Sequence, residues 1–311
     1  MDQPPGAGSV IGELLALFSA FTFAFGTVAI AKAMKSGSGQ VGVLLSVLLT
    51  GLLALVCWIL AEQPLGSARQ LTWTATGWFA ASGILATVWG RLTLFKAVQN
   101  AGVIRASTVR RLTPFFSVFF AWLLLDEQVG WLTGAGMALI AASFALLVLD
   151  TRRKLEEEPK GPSAPPNIPR GYVFGILCAL SYAISYIARK YGLTEFPDAF
   201  LGALLSSLAA LGYYIVGGIF SAEFRSIIAQ SFRRPERWQF IAALCISVGQ
   251  ISQFLALGYT SVSHLALINS VEIYISAYLA VMVFRMERMP GVAVLAAAAL
   301  ATAGVVMTIL G

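Results

Sequence analysis

Charge is scarce in this chain. Asp, Glu, Lys and Arg make up 12% of its 311 residues, 58% are hydrophobic, and mean hydropathy reaches +0.79. A soluble domain carries about 25% charged and 45 to 50% apolar residues, so a water-soluble fold of this length cannot hide the apolar surface. Cysteine is nearly absent too. Cys57, Cys178 and Cys245 fall singly within apolar stretches, which excludes a disulfide scaffold and a thiolate metal site and leaves buried packing. The lone histidine, His264, has no second ligand near it and reads as an interfacial residue. Missing as well are the sets an intramembrane enzyme needs. Ser82-Gly83 lacks a glycine at position 80, no His-Glu-x-x-His occurs, and the Glu156 to Glu158 run is in a polar segment. The chain is therefore read as a non-enzyme that calls for no cofactor and no metal. A sequence pI near 9.4 does not imply nucleic acid, because the basic residues lie in short loops that leave no room for a binding module.

What is present is a succession of apolar stretches of roughly 18 residues or more, enough at 1.5 Å per residue to cross ~30 Å of hydrocarbon. Ten can be read, approximately at 12–31, 41–61, 78–95, 104–125, 129–149, 171–188, 199–220, 238–258, 263–284 and 290–310. No basic region precedes the first, Glu13 stands at its start and another follows at once, so it is expected to be retained rather than cleaved as a signal peptide. The one compositional break, 150–170, holds Glu156 to Glu158 and five prolines, and reads as a linker.

On either side of that linker the chain repeats itself. Trp78 matches Trp238 and Glu127 matches Glu287 at an offset of 160, while Ala20 to Ala24 aligns with Ala179 to Ala183 at 159. Five spans per unit is an odd number, so the second unit enters the membrane from the opposite side. The fold class expected is an all-α membrane protein of ten transmembrane helices in two inverted five-helix repeats: 1–150 first repeat, 151–170 linker, 171–311 second repeat. Fifteen of the 21 Lys and Arg residues fall on one side of these spans, the linker's side, and three, Arg69, Arg189 and Lys190, on the other. The positive-inside rule then predicts a cytoplasmic linker and outward termini.

An ionisable group at membrane depth is costly, roughly 2.5 to 3.5 kcal/mol at a helix centre, and so points to function. Glu272 is the deepest, nine residues into its span. Asn269, Glu272 and Ser276 share its helix face, and the carboxyl group is suited to carry a coupling proton or hold a substrate amine. Arg110, Arg111 and Arg91 gather near one loop, either as anchors or as a cationic vestibule for an anion. The repeat places Arg111 and Glu272 at nearly equivalent positions, where they can pair. Further stripes comprise Tyr182, Ser185, Tyr186 and Arg189 on the sixth span, Ser247, Gln250 and Phe254 on the eighth, Thr22 and Phe25 on the first, and Thr87 with Arg91 on the third. Such residues serve as helix glue or as a few polar groups in an apolar binding wall. The alanine-rich tenth span reads as scaffold or homodimer contact.

Ala16 to Thr27 (ALFSAFTFAFGT), Leu112 to Glu127 (LTPFFSVFFAWLLLDE) and, more weakly, Val271 to Glu287 (VEIYISAYLAVMVFRME) resemble the drug/metabolite transporter superfamily, specifically its ten-span proteins with two EamA-type repeats. Phe25-Gly26 stands where the family often has Trp-Gly, and Pro114 has no counterpart near Tyr274. The resemblance implies alternating access around a cavity lined by spans 1, 3, 4, 6, 8 and 9, with spans 5 and 10 as supports. It implies a small-molecule substrate such as an amino acid, an organic acid or a related amphipathic solute, and a lipid-embedded chain in a cell membrane such as the bacterial inner membrane. It also implies inside termini, against the charge count. A channel or lipid flippase is the alternative, since selectivity can rest on backbone geometry.

Overall fold

The computed structural model describes residues 7–35, 42–61, 71–101, 106, 109–157, 167–231, 237–284 and 292–310, and among these no strand occurs. Twelve helices follow one another: α1 (Ala7–Lys35), α2 (Gly42–Leu60), α3 (Trp73–Ala101), α4 (Thr113–Leu125), α5 (Trp131–Glu157), α6 (Ile168–Glu195), α7 (Ala199–Phe220), α8 (Ala222–Ser231), α9 (Arg237–Tyr259), α10 (Val262–Asn269), α11 (Glu272–Tyr278) and α12 (Val292–Leu310). Wide π turns widen two of them, Ile84–Trp89 inside α3 and Leu279–Val283 after α11.

Local chemistry sets the helix starts. The side chains of Thr72, Asn167, Asp198 and Ser261 accept the backbone N–H of Ala75, Arg170, Leu201 and His264, which satisfies donors that helices leave orphaned. Pro114 and Pro169 occupy first turns, where their missing N–H costs nothing. Helix α5 continues through Glu157, into the segment whose charge and proline content read as linker, and α6 starts at Ile168.

Among the described residues five helices are long and apolar enough to cross a membrane: Val10–Ala33, Trp73–Ala101, Pro169–Glu195, Ala199–Phe220 and Arg237–Tyr259. Four shorter apolar helices accompany them, Leu44–Leu60, Thr113–Leu125, Trp131–Leu146 and Leu295–Leu310. Large apolar side chains face outward along these helices, among them Leu14, Phe18, Leu52, Ile59, Trp122 and Ile215. Hydroxyls face inward, with Ser19, Ser82, Ser117, Ser143, Ser185, Ser206 and Ser247 fully buried. That reversal of the soluble pattern is what a hydrocarbon solvent selects.

Small residues let the helices touch. Helix α1 lies along α9, α6 along α3, α2 against both α7 and α9, α3 against α7, and α5 against α12. Ala16, Ala20 and Ala24 are wholly buried, and a Cβ added at Gly12 would sit 2.8 Å from Thr260 Cβ. Interhelical hydroxyl bonds tie the same contacts. Ser19 Oγ donates to Gly249 O at 3.0 Å, Ser185 Oγ to Ser82 O at 3.1 Å and Ser247 Oγ to Ser46 O at 3.0 Å.

Candidate functional site

Two helical stretches are broken at the centre of the bundle. Before α4, Leu112 N–H bonds the carbonyl of Val109, three residues back. Between α10 and α11, Ser270 and Val271 do the same with Leu267 and Ile268. Each break tightens the backbone from α to 3₁₀ spacing and turns its side chains inward. At the first stands Arg110, and at the second Glu272.

These two meet. Arg110 Nη2 lies 4.0 Å from Glu272 Oε1, with side chains 37% and 22% exposed. Thr27 Oγ1 of α1 donates to the same carboxylate oxygen at 3.2 Å. Arg110 also lies over the Tyr182 ring at 5.9 Å. The pairing expected for Arg111 thus belongs to its neighbour, because one residue rotates a helical side chain by about 100°. Arg111 lies near Tyr274 and remains within electrostatic reach of Glu272 and Arg110 without pairing. Tyr274 is itself hydrogen-bonded to Ser143, which donates to Ala297 O at 2.8 Å. Asn269, just before the second break, has neither amide atom hydrogen-bonded although both are buried. Ser276 is half-buried one turn beyond Glu272.

The stripe on α6 continues the site. Arg91 donates to Ser46 Oγ at 3.2 Å, and both Arg91 and Arg110 act electrostatically on Tyr182. The Tyr182 ring lies flat on Gly90, where an added Cβ would be 3.1 Å from it. A turn along, Tyr186 accepts from Gln253 Nε2 at 3.2 Å, and Gln253 Oε1 accepts from Arg189 Nη1 at 2.9 Å. The Arg189 guanidinium lies 4.7 Å from the Phe254 ring centroid and 5.7 Å from that of Tyr186. Phe254 is fully buried against Phe79, and Gln250 is buried on the same helix. Sequence counting placed Arg189 with Lys190 on the outer flank of the sixth span. Only Lys190 fits, bonded to the carbonyls of Leu257 and Thr260 at 2.8 and 2.9 Å, whereas Arg189 is 3% exposed. Its place in the Tyr182, Ser185, Tyr186 stripe was the signal for that.

Aromatic clusters sit at either end. Phe25 packs edge-on to Phe284 at 5.5 Å, Phe284 on Trp238 at 5.6 Å, and Lys32 Nζ lies 3.9 Å from the Trp238 centroid. Phe25 therefore belongs to the closed cluster beside the basic loops. At the other end Trp78 stacks on Tyr191 at 4.9 Å, and Tyr191 Oη donates to the Leu124 carbonyl. There Glu127 accepts the N–H groups of Val262 and Ser263 at 2.7 and 3.0 Å and the Ser263 hydroxyl at 2.7 Å. A cleft of ≈ 420 Å³ opens beside it, lined by Glu127, Lys190, Thr260, Ser263 and His264. His264 Nδ1 lies 3.7 Å from Glu13 Oε1. Among the described residues no group of three His, Cys, Asp or Glu side chains could hold a metal ion, and the three cysteines are free thiols.

No curated protein matches this sequence. One solved structure, described only as the crystal structure of a protein, superimposes on 98% of this chain and 96% of its own at a TM-score of 0.68. With 18% sequence identity it speaks for the fold alone. The apolar helices and the family match together make this a multi-pass integral membrane protein. Residues 10–149 match the EamA-like transporter family, which supports the drug/metabolite transporter superfamily and suggests a membrane transporter of small solutes.

Proposed function

We propose that the chain is a ten-span secondary transporter of a small metabolite, an amino acid, organic acid or related amphipathic solute, working by alternating access between two inverted five-helix repeats. The observation that carries this is the pair of broken helices. The breaks at Arg111-Leu112 and Ser270-Val271 stand 159 residues apart, the offset of the sequence repeat, and Arg110 and Glu272 meet between them. Discontinuous helices facing each other across a repeat interface are where secondary transporters hold their solutes.

Helix pairing supports the same reading. Moving each helix to its repeat partner carries the α1–α9 contact onto α6–α3, α2–α9 onto α7–α3, and the contact of α1 with α10 and α11 onto α6–α4, while α2–α7, α4–α10 and α5–α12 map onto themselves. Close approaches follow suit: Gly12 against Thr260 corresponds to Gly171 against Ala101. The mature fold then has spans 5 and 10 as a lateral support, joined by Ser143 to Ala297 O. The experiment is counterflow in proteoliposomes with labelled amino-acid and organic-acid mixtures. Saturable exchange that Glu272→Gln or Arg110→Gln reduces at least tenfold supports the carrier. Non-saturable flux would make it a channel, and exchange at parental rates in both variants would remove the site.

A further inference from the structure

Arg189 is a deeply buried cation with no carboxylate beside it among the described residues. It is 3% exposed, and among the described residues no carboxylate lies within 4.0 Å of it. Around it stand the hydroxyls of Tyr186 and Tyr182, which carry no charge at neutral pH. Its Nη1 is committed to Gln253, and its buried Nε has no hydrogen-bond partner at all. Of the other basic groups nearby, Arg110 faces Glu272, while Arg91 donates to Ser46 and Lys190 to two backbone carbonyls. Keeping a charge in a low-dielectric interior without a partner is strongly destabilising. A fold retains such a group where something else supplies the opposite charge.

We propose that Arg189 is the anion-recognising end of the transport site and that the substrate is a carboxylate with an apolar, planar body. The proposal rests on the transporter reading and names its substrate class. Charge complementarity at Arg189 selects an anion, since no acid faces its guanidinium. Geometry selects a carboxylate: with Nη1 held by Gln253, the Nε edge of the planar fork is free, and a carboxylate can meet such an edge with two parallel bonds. The orientation is fixed in advance, because Gln253 is itself anchored on Tyr186 Oη and the guanidinium is stacked 4.7 Å over Phe254. Phe254 and Phe79, both fully buried, supply the apolar wall. Tyr186 lies within electrostatic reach of Arg189, Glu272 and Arg110 alike, so the anion seat adjoins the central pair rather than forming a separate site.

The test uses the whole chain in detergent and two probes of equal shape, phenylacetate and phenylacetamide, read by thermal unfolding. Phenylacetate is expected to bind about 10- to 100-fold more tightly than the amide, the worth of a charge-assisted hydrogen bond. Arg189→Gln removes that preference, and Arg189→Lys keeps part of it should the glutamine variant fold poorly. Gln253→Glu is the sharper variant. It places a resident carboxylate 2.9 Å from Nη1, so the protein should fold well and lose phenylacetate binding. Equal binding of acid and amide, binding of neither, or undiminished acid preference in Gln253→Glu each overturns the proposal. Glu272→Gln retains the acid preference, which separates the two readings: absence of saturable counterflow in the parental protein, with the preference intact, would sink the carrier and spare the anion seat.

Discussion

Glu272 shares its carboxylate between Arg110 at 4.0 Å and Thr27 Oγ1 at 3.2 Å, and that sharing decides what its loss should do. Both partners of the pair are partly exposed, so solvent screening limits its worth to roughly 1 kcal/mol or less. Glu272→Gln is therefore expected to lower thermal stability only slightly while cutting exchange at least tenfold, and Arg110→Gln added to it should restore little. A double variant that recovers transport would show the pair to be structural. Glu272 and Arg110 were legible in the sequence because depth alone makes an ionisable residue conspicuous. Which of two adjacent arginines faces the acid was not, since a local 3₁₀ turn sets the rotation. Arg189 was misplaced for a different reason. A basic residue beside another at the end of an apolar run looks like a flank anchor, and its partner Gln253 lies 64 residues away, beyond any local pattern.

The fourth helix ends on a residue that holds the ninth span in place. Glu127 receives three hydrogen bonds from the N-terminus of α10, where a carboxylate also meets the positive end of the helix dipole. Asp126 turns the chain toward it with φ of 52°, a left-handed conformation. Glu127→Ala is expected to destabilise by about 1 to 3 kcal/mol, the cost of losing a charged cap and orphaning its donors. The readout is melting temperature in detergent, and an unchanged value would deny the clamp. At the α3–α7 crossing, Gly83 is closed by the backbone of Ser206. Gly83→Ala should separate these helices and reduce monodisperse yield in size-exclusion chromatography severalfold, whereas Gly77→Ala, with open space around it, should not. The acid closing the fourth helix was visible as a motif, but its target was not. The first helix break lies just ahead of Pro114, inside what the sequence presents as one continuous span, 104–125. The second, at Ser270-Val271, has no proline or glycine to mark it and emerges from packing.

At the scale of the whole molecule, the two aromatic clusters occupy places that the repeat relates. Trp78 corresponds to Trp238 and Leu124 to Phe284 at an offset of 160, and Tyr191 to Lys32 at 159. One set joins α3, α6 and α4, and the other joins the partner helices α9, α1 and the end of the ninth span. Hydropathy made the all-helical membrane character readable, because membrane depth leaves long apolar runs in sequence. The contact between each tryptophan and its neighbours left no such trace. If the proposed exchange of access takes place, the clusters are its two closures, and weakening one must favour opening at that end alone. An aromatic pair contributes about 0.5 to 1.5 kcal/mol beyond burial, so removing one should shift the ratio of the two states roughly 2- to 12-fold. The measurement is labelling of Ser276→Cys by an impermeant maleimide, in a background with Cys57, Cys178 and Cys245 replaced by alanine, in vesicles of both orientations. Trp238→Ala is expected to speed labelling from the side of the basic loops, and Trp78→Ala from the other. Acceleration from the same side by both substitutions would mean that the clusters are packing alone, and that the repeat's symmetry is not used for gating.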